Sequence, residues 1–125
     1  MTIYVAARFT EKVRARVARA TLMNAGYQVT SRWLYQDTSA RQNLDDVHRS
    51  DVLVLLESEI GCGRYIEMGY ATALGRPIVV IGMSDPFSFW CSLPQVTTWS
   101  SLTEAMPALA ALAVRIADGP ATDVA

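Results

Sequence analysis

Glu67 is the residue of this chain that its neighbours best prepare for chemistry. It stands in Gly61-Cys62-Gly63-Arg64-Tyr65-Ile66-Glu67-Met68-Gly69-Tyr70, a glycine-bracketed loop that runs straight into a predicted helix. Small loop residues let a ring or a phosphate approach the backbone. The N–H groups at a helix start also favour an anion. A carboxylate in that setting is placed for an anion-dependent or charge-stabilising task. Tyr4 is the natural companion, because a hydroxyl buried in the first strand needs a hydrogen-bond partner that a carboxylate supplies. A third candidate feature is the aromatic run Phe87-Ser88-Phe89-Trp90, a wall for a flat apolar substrate.

The elements that must position these groups read as alternating strands and helices. Asp51-Val52-Leu53-Val54-Leu55-Leu56 and Pro77-Ile78-Val79-Val80-Ile81-Gly82 have the character of strands buried on both faces. With the Glu67 helix between them they form one parallel βαβ unit, whose ligands bind at the carboxyl ends of the strands. Thr2 to Ala7 reads as the first strand. Thr10 is the expected N-cap of a helix from Glu11 to about Asn24, with Val13, Val17, Ala20 and Leu22 facing inward. Tyr27 to Leu34 alternates as a second strand, and Ala40 to Ser50 has helical spacing. Met83 to Pro94 is expected to be a long loop, Gln95 to Trp99 a fifth strand, and Ser101 with Glu104 a capping box for a helix to about Asp118. The expected fold is α/β, a flavodoxin-like three-layer sandwich on a five-stranded parallel sheet. One domain is expected over 1–118, with a disordered tail over 119–125.

Bulk properties narrow the function classes. The chain has 125 residues, is 51% hydrophobic and 18% charged, and carries a net charge of −1. That is enough chain to bury a core without metals or disulfides. Lys12 is the single lysine and the arginines are scattered, which argues against duplex nucleic acid as a partner. Cys62 and Cys91 are too few and too oddly spaced for a zinc site or a disulfide framework, and a lone His48 offers no ligand cluster. No metal or cofactor is expected. No apolar run approaches a membrane span and the first strand begins at once, so a cytoplasmic protein that does not engage membranes is expected.

Over nearly its whole length the chain resembles the nucleoside 2-deoxyribosyltransferases and their phage-type and nucleotide N-glycosidase relatives. The likeness is carried by Ile3-Tyr4-Val5-Ala6-Ala7-Arg8-Phe9, by Asn43-Leu44-Asp45-Asp46-Val47 leading into Ser50-Asp51-Val52-Leu53-Val54, and by Gly61 through Gly75-Arg76-Pro77 with Ile78-Val79-Val80. The resemblance implies that Glu67 is the nucleophile and Tyr4 the residue that hydrogen-bonds it. The implied activity is cleavage of the N-glycosidic bond of a 2′-deoxynucleoside through a glycosyl-Glu67 intermediate, with transfer to another base or to water. A 2′-deoxynucleoside 5′-monophosphate N-glycosidase is the alternative, and a non-catalytic nucleotide-binding sensor is a third reading. The implied partners are a nucleoside or nucleotide and a free nucleobase. The resemblance also implies a homo-oligomer, a dimer or larger, in which Ser88 and Trp90 reach a neighbour's pocket.

The remaining substrate contacts are expected from Ala6, Arg8 and Phe9 after the first strand, from Gly61, Gly63 and Arg64 in the glycine loop, and from Asn43, Asp46 and Glu57. Arg8 and Arg64 either meet a 5′-phosphate or pair with a surface acid. Asn43 marks a departure, since the family often has an aspartate there, eight residues before Asp51, in contact with the base or helping to protonate it. An asparagine cannot titrate. Either the acid that serves the departing base is Asp45 or Asp46, or it is Glu57 or Glu59 beyond the third strand, or the substrate differs.

Overall fold

The structure, a computed structural model, describes residues 1–57, 63–82 and 92–119, the side chains of 63–65 excepted. Five strands, β1 (Thr2–Ala6), β2 (Gln28–Val29), β3 (Val52–Leu56), β4 (Ile78–Ile81) and β5 (Val96–Trp99), pair in parallel in the order β2-β1-β3-β4-β5. The helices are α1 (Lys12–Asn24), α2 (Ala40–His48), α3 (Gly63–Ala73) and α4 (Leu102–Ala117). This is the expected flavodoxin-like α/β order. The chain reverses direction across the sheet between β1 and β3, so the carboxyl ends of those two strands flank the crevice where such folds bind ligands. Right-handed crossovers put α1 on one face and α2 and α3 on the other. Among the described residues no helix is long and apolar enough to cross a membrane.

β1, β3 and β4 are buried throughout apart from Thr2, as parallel strands covered on both faces require. Asp51 clips the amino ends of β3 and β1 together. Its carboxylate accepts from the Thr2 N–H at 2.9 Å and from the Thr2 hydroxyl at 3.0 Å, far from the ligand end. At the opposite end, the Glu57 N–H donates to the Ile81 carbonyl at 2.8 Å, and Arg14 Nη1 donates to the Glu57 carbonyl at 3.1 Å. Gly82 turns the chain here with φ +80°. A Cβ at this position would lie 3.3 Å from both Arg14 Nη2 and the Glu57 oxygen, so the turn has little room for a side chain.

Three local expectations are corrected. The second strand stops at Val29 rather than Leu34, because side chains take over the edge of β1 from there. Ser31 Oγ accepts from the Val5 N–H at 2.7 Å, Trp33 Nε1 donates to the Val5 carbonyl at 2.9 Å, and residues 32–34 coil into a 3-10 turn. The first helix is preceded by a 3-10 turn over Phe9–Glu11 and has no side-chain cap, so Thr10 is not its N-cap. Its inward stripe is Ala15, Ala18 and Leu22, while Val13 and Val17 are 74% and 62% exposed. The fourth helix starts as expected: Ser101 Oγ accepts from the Glu104 N–H, although the Glu104 carboxylate turns to the Ser100 hydroxyl instead of closing the box. The α2 capping box of Ser39 and Gln42 was not anticipated. Residues 120–125 of the expected tail and the loop over 83–91 lie outside the described residues.

Candidate active site

A cleft of about 690 Å³ opens at the carboxyl end of the sheet beside β1. Three segments wall it: Ala7, Arg8 and Phe9 after β1, the stretch from Trp33 through Gln36, Asp37 and Thr38 to the start of α2, and Ile66 with Glu67 on α3. Asn43 and Leu44 complete the α2 side. Glu67 lies in the second turn of α3, half-buried at the cleft wall. Tyr4, fully buried in β1, donates its hydroxyl to Glu67 Oε1 at 3.1 Å.

The pair behaves electrostatically as a buried acid with one stabilising donor. Burial pushes the Glu67 carboxyl up to about 7 from an ordinary 4.5, and the Tyr4 hydrogen bond opposes that rise. Loss of solvent thus outweighs the Tyr4 donor and sets the carboxyl above its ordinary range. Burial, followed by the neighbouring Glu67 charge, raises the Tyr4 phenol well above its usual range, so it stays a donor. A carboxyl poised near neutrality is a frequent property of catalytic groups. Removing the donor in Tyr4→Phe should raise the Glu67 pKa further. If ionised Glu67 is the working form, the acid limb of the rate profile should move up from near pH 7 by about one pH unit, since hydrogen bonds to charged groups contribute roughly 1.5–3 kcal/mol. An unmoved limb in a pH-rate series on this variant would disconnect Tyr4 from Glu67's titration.

Of the residues expected to touch substrate, the structure brings Arg8, Phe9, Asn43 and Glu67 to the cleft. Ala6 is corrected, because it is fully buried in the core as the last residue of β1, and the cleft begins one residue later. Asp46 is also corrected. It is fully buried and accepts from Arg32 Nε at 2.9 Å, from the Arg32 backbone N–H at 3.1 Å and from Arg49 Nη2. It therefore ties α2 to the 3-10 turn and does not line the cleft. Asp45 is exposed, and Glu57 is buried at the end of β3 and likewise outside the cleft-lining set. Gly63 begins α3, while the Arg64 side chain and Glu59, Gly61, Ser88 and Trp90 lie outside the described residues.

Trp33, Gln36, Asp37, Thr38, Leu44 and Ile66 were missed. Trp33 falls in a stretch whose alternation reads as strand, and residues 35–39 carry no signal beyond polarity. The capping box of Ser39 and Gln42 was the available clue, since it starts α2 at Ala40 and so sets the turn before it against the cleft. Thr38 Oγ1 donates to Asn43 Oδ1 at 2.6 Å across that turn. On the β1 side, the Phe9 and Trp33 rings lie 6.4 Å apart and Lys12 Nζ sits 4.5 Å from the Phe9 centroid.

No family model and no curated protein matches the chain. Among solved structures it is similar to the Clostridium botulinum CMP N-glycosidase BcmB, with a TM-score of 0.63 and 18% identity over 89% of this chain and 99% of that one. At that identity the likeness establishes the fold.

Proposed function

We propose that this protein cleaves the N-glycosidic bond of a nucleoside or nucleoside 5′-monophosphate through a glycosyl ester on Glu67. The observation that carries this reading is the half-buried Glu67 carboxylate on the cleft wall with the Tyr4 hydroxyl bound to it at 3.1 Å. With C1′ of the sugar against Glu67, a carboxylate oxygen forms the new C1′–O bond as the C1′–N bond breaks. The bonding pair leaves with the base, which takes up a proton at a ring nitrogen. Water or a second base then attacks C1′ and restores the carboxylate, as in retaining glycosidases. Transfer to a base makes the enzyme a nucleoside 2-deoxyribosyltransferase, and transfer to water makes it a hydrolase.

Two observations favour a phosphorylated substrate more than the sequence did: Arg8 lines the cleft, and the similar fold is that of a CMP N-glycosidase. The phosphate would lie on the Arg8 side and the base toward Asn43. A homodimer is the assembly we favour, supported by the exposed apolar row Phe9, Val13 and Val17. The test is a panel of ribo- and 2′-deoxynucleosides and their 5′-monophosphates, incubated with and without a foreign base, with products separated. We expect free base in every productive reaction and exchanged nucleoside only if the protein is a transferase. Arg8→Ala should raise KM for the monophosphate about tenfold or more and leave the nucleoside unchanged. Saturable binding without base release would instead support the sensor reading.

A further inference from the structure

A second carboxylate lines the cleft that holds Glu67. Asp37 lies in the exposed turn between the 3-10 segment and α2, on the same rim as Thr38 and Asn43. Among the described residues, Asp37 and Glu67 are the acids lining this cleft, and Asp37 makes no hydrogen bond or ion pair. Of the acids expected for the base, Asp46 is held by Arg32 and Arg49, Asp45 and Glu57 are outside the cleft-lining set, and Glu59 lies outside the described residues.

The hydrogen bond made by Thr38, the neighbour of Asp37, orients the Asn43 amide on this rim. The Thr38 hydroxyl occupies Asn43 Oδ1, and in that orientation the Asn43 amide presents its NH₂ as a donor. An ionised Asp37 can only accept. One rim thus carries a donor and an acceptor-only group, the complement of a base edge with one acceptor and one donor. Glu67 is half-buried while Asp37 is exposed. With C1′ at Glu67 and the base laid along the cleft to the outer rim, its most distal substituent, at C4 of a pyrimidine or C6 of a purine, would meet that rim.

We infer that Asp37 is the specificity-determining residue of the cleft and accepts a hydrogen bond from an exocyclic amino group of the substrate's base. The inference rests on the N-glycosidic reading above and names the substrate class within it: bases bearing an amino group at that position, preferred over their oxo counterparts. An oxo group would set two acceptors against each other, and uracil presents its donor and acceptor in the reverse order to cytosine. A site built around a polar partner rejects an analogue that leaves that partner unpaired.

The test compares kcat/KM for cytidine and uridine, each as the 2′-deoxynucleoside and the 5′-monophosphate, in wild type, Asp37→Ala and Glu67→Gln. Wild type should prefer cytosine, and Asp37→Ala should reduce the cytosine-to-uracil ratio by roughly tenfold or more, mainly by slowing cytosine release. Glu67→Gln should remove both activities together. An unchanged ratio in Asp37→Ala, an equal loss on both bases, or a wild-type preference for uracil would overturn the inference. If wild type releases neither base, the N-glycosidic reading fails separately. Calorimetric binding of the same compounds then decides the role of Asp37: selective weakening of the cytosine compounds by Asp37→Ala upholds it, and equal or absent binding overturns it. Asp37 is exposed and, among the described residues, makes no hydrogen bond or ion pair, so its truncation leaves the fold in place.

Discussion

Glu67→Gln should lower base release by roughly 10⁴-fold or more while the protein stays folded, the scale of loss seen when a covalent nucleophile is removed. Glutamine keeps the shape and can still accept from Tyr4, but it cannot form a glycosyl ester under these conditions. The stability of the same variant gives a second signature. Folded Glu67 titrates at about 7 against an ordinary 4.5, so between those values the folded state holds a proton that the unfolded chain has released. The contribution of this group to stability therefore falls as pH rises from about 4.5 to 7 and is constant above, a loss of about 3 kcal/mol. Activity should rise over the upper part of the window in which this contribution falls. Glu67→Gln lacks that titration, so its stability relative to wild type should improve as pH increases from 5 to 8. Urea unfolding of both proteins at these pH values measures the difference, and parallel curves would show that Glu67 does not titrate in that window.

Asp46→Ala should act in the opposite way, costing stability before chemistry. Asp46 is fully buried, but its partners Arg32 and Arg49 have side chains 38% and 58% exposed, so they can recover solvent when it is removed. That recovery keeps the loss below the full cost of stranding a buried charge. The hydrogen bonds to the carboxylate still disappear, and the Arg32 backbone N–H loses its partner. A destabilisation of about 2–4 kcal/mol follows, which lowers Tm by roughly 10 °C. Folded Asp46→Ala at low temperature should retain kcat within a few-fold. A variant with wild-type Tm and no turnover would return Asp46 to the role of acid for the base.

The sheet was legible because β1, β3 and β4 are apolar runs of strand length, and burial on both faces requires that pattern. Glu67 and Tyr4 were legible through local chemistry, a glycine loop before a helix and a phenol in a central strand. What escaped depended on tertiary hydrogen bonds that periodicity does not encode. Ser31 and Trp33 complete the edge of β1 with side chains, so an alternating stretch that reads as strand becomes a turn facing the cleft. Val13 and Val17 read as core because they are apolar at helical spacing, yet the sheet takes the smaller face of Ala15, Ala18 and Leu22. Asp46 and Asp37 show the same limit for the site. Both are aspartates in polar surroundings, and only the packing of α2 against the 3-10 turn decides which is buried and which lines the cleft.

The central claim is that Glu67 carries the sugar, and mass spectrometry of the trapped protein tests it most directly. A 2′-fluoro-2′-deoxy substrate slows hydrolysis of a glycosyl ester by destabilising its oxocarbenium-like transition state, so the ester should accumulate. Acid-quenched protein should gain the mass of one sugar, with the added mass on the peptide that contains Glu67 and absent in Glu67→Gln. Steady release of base with no covalent adduct, or an adduct that persists in Glu67→Gln, would contradict the account.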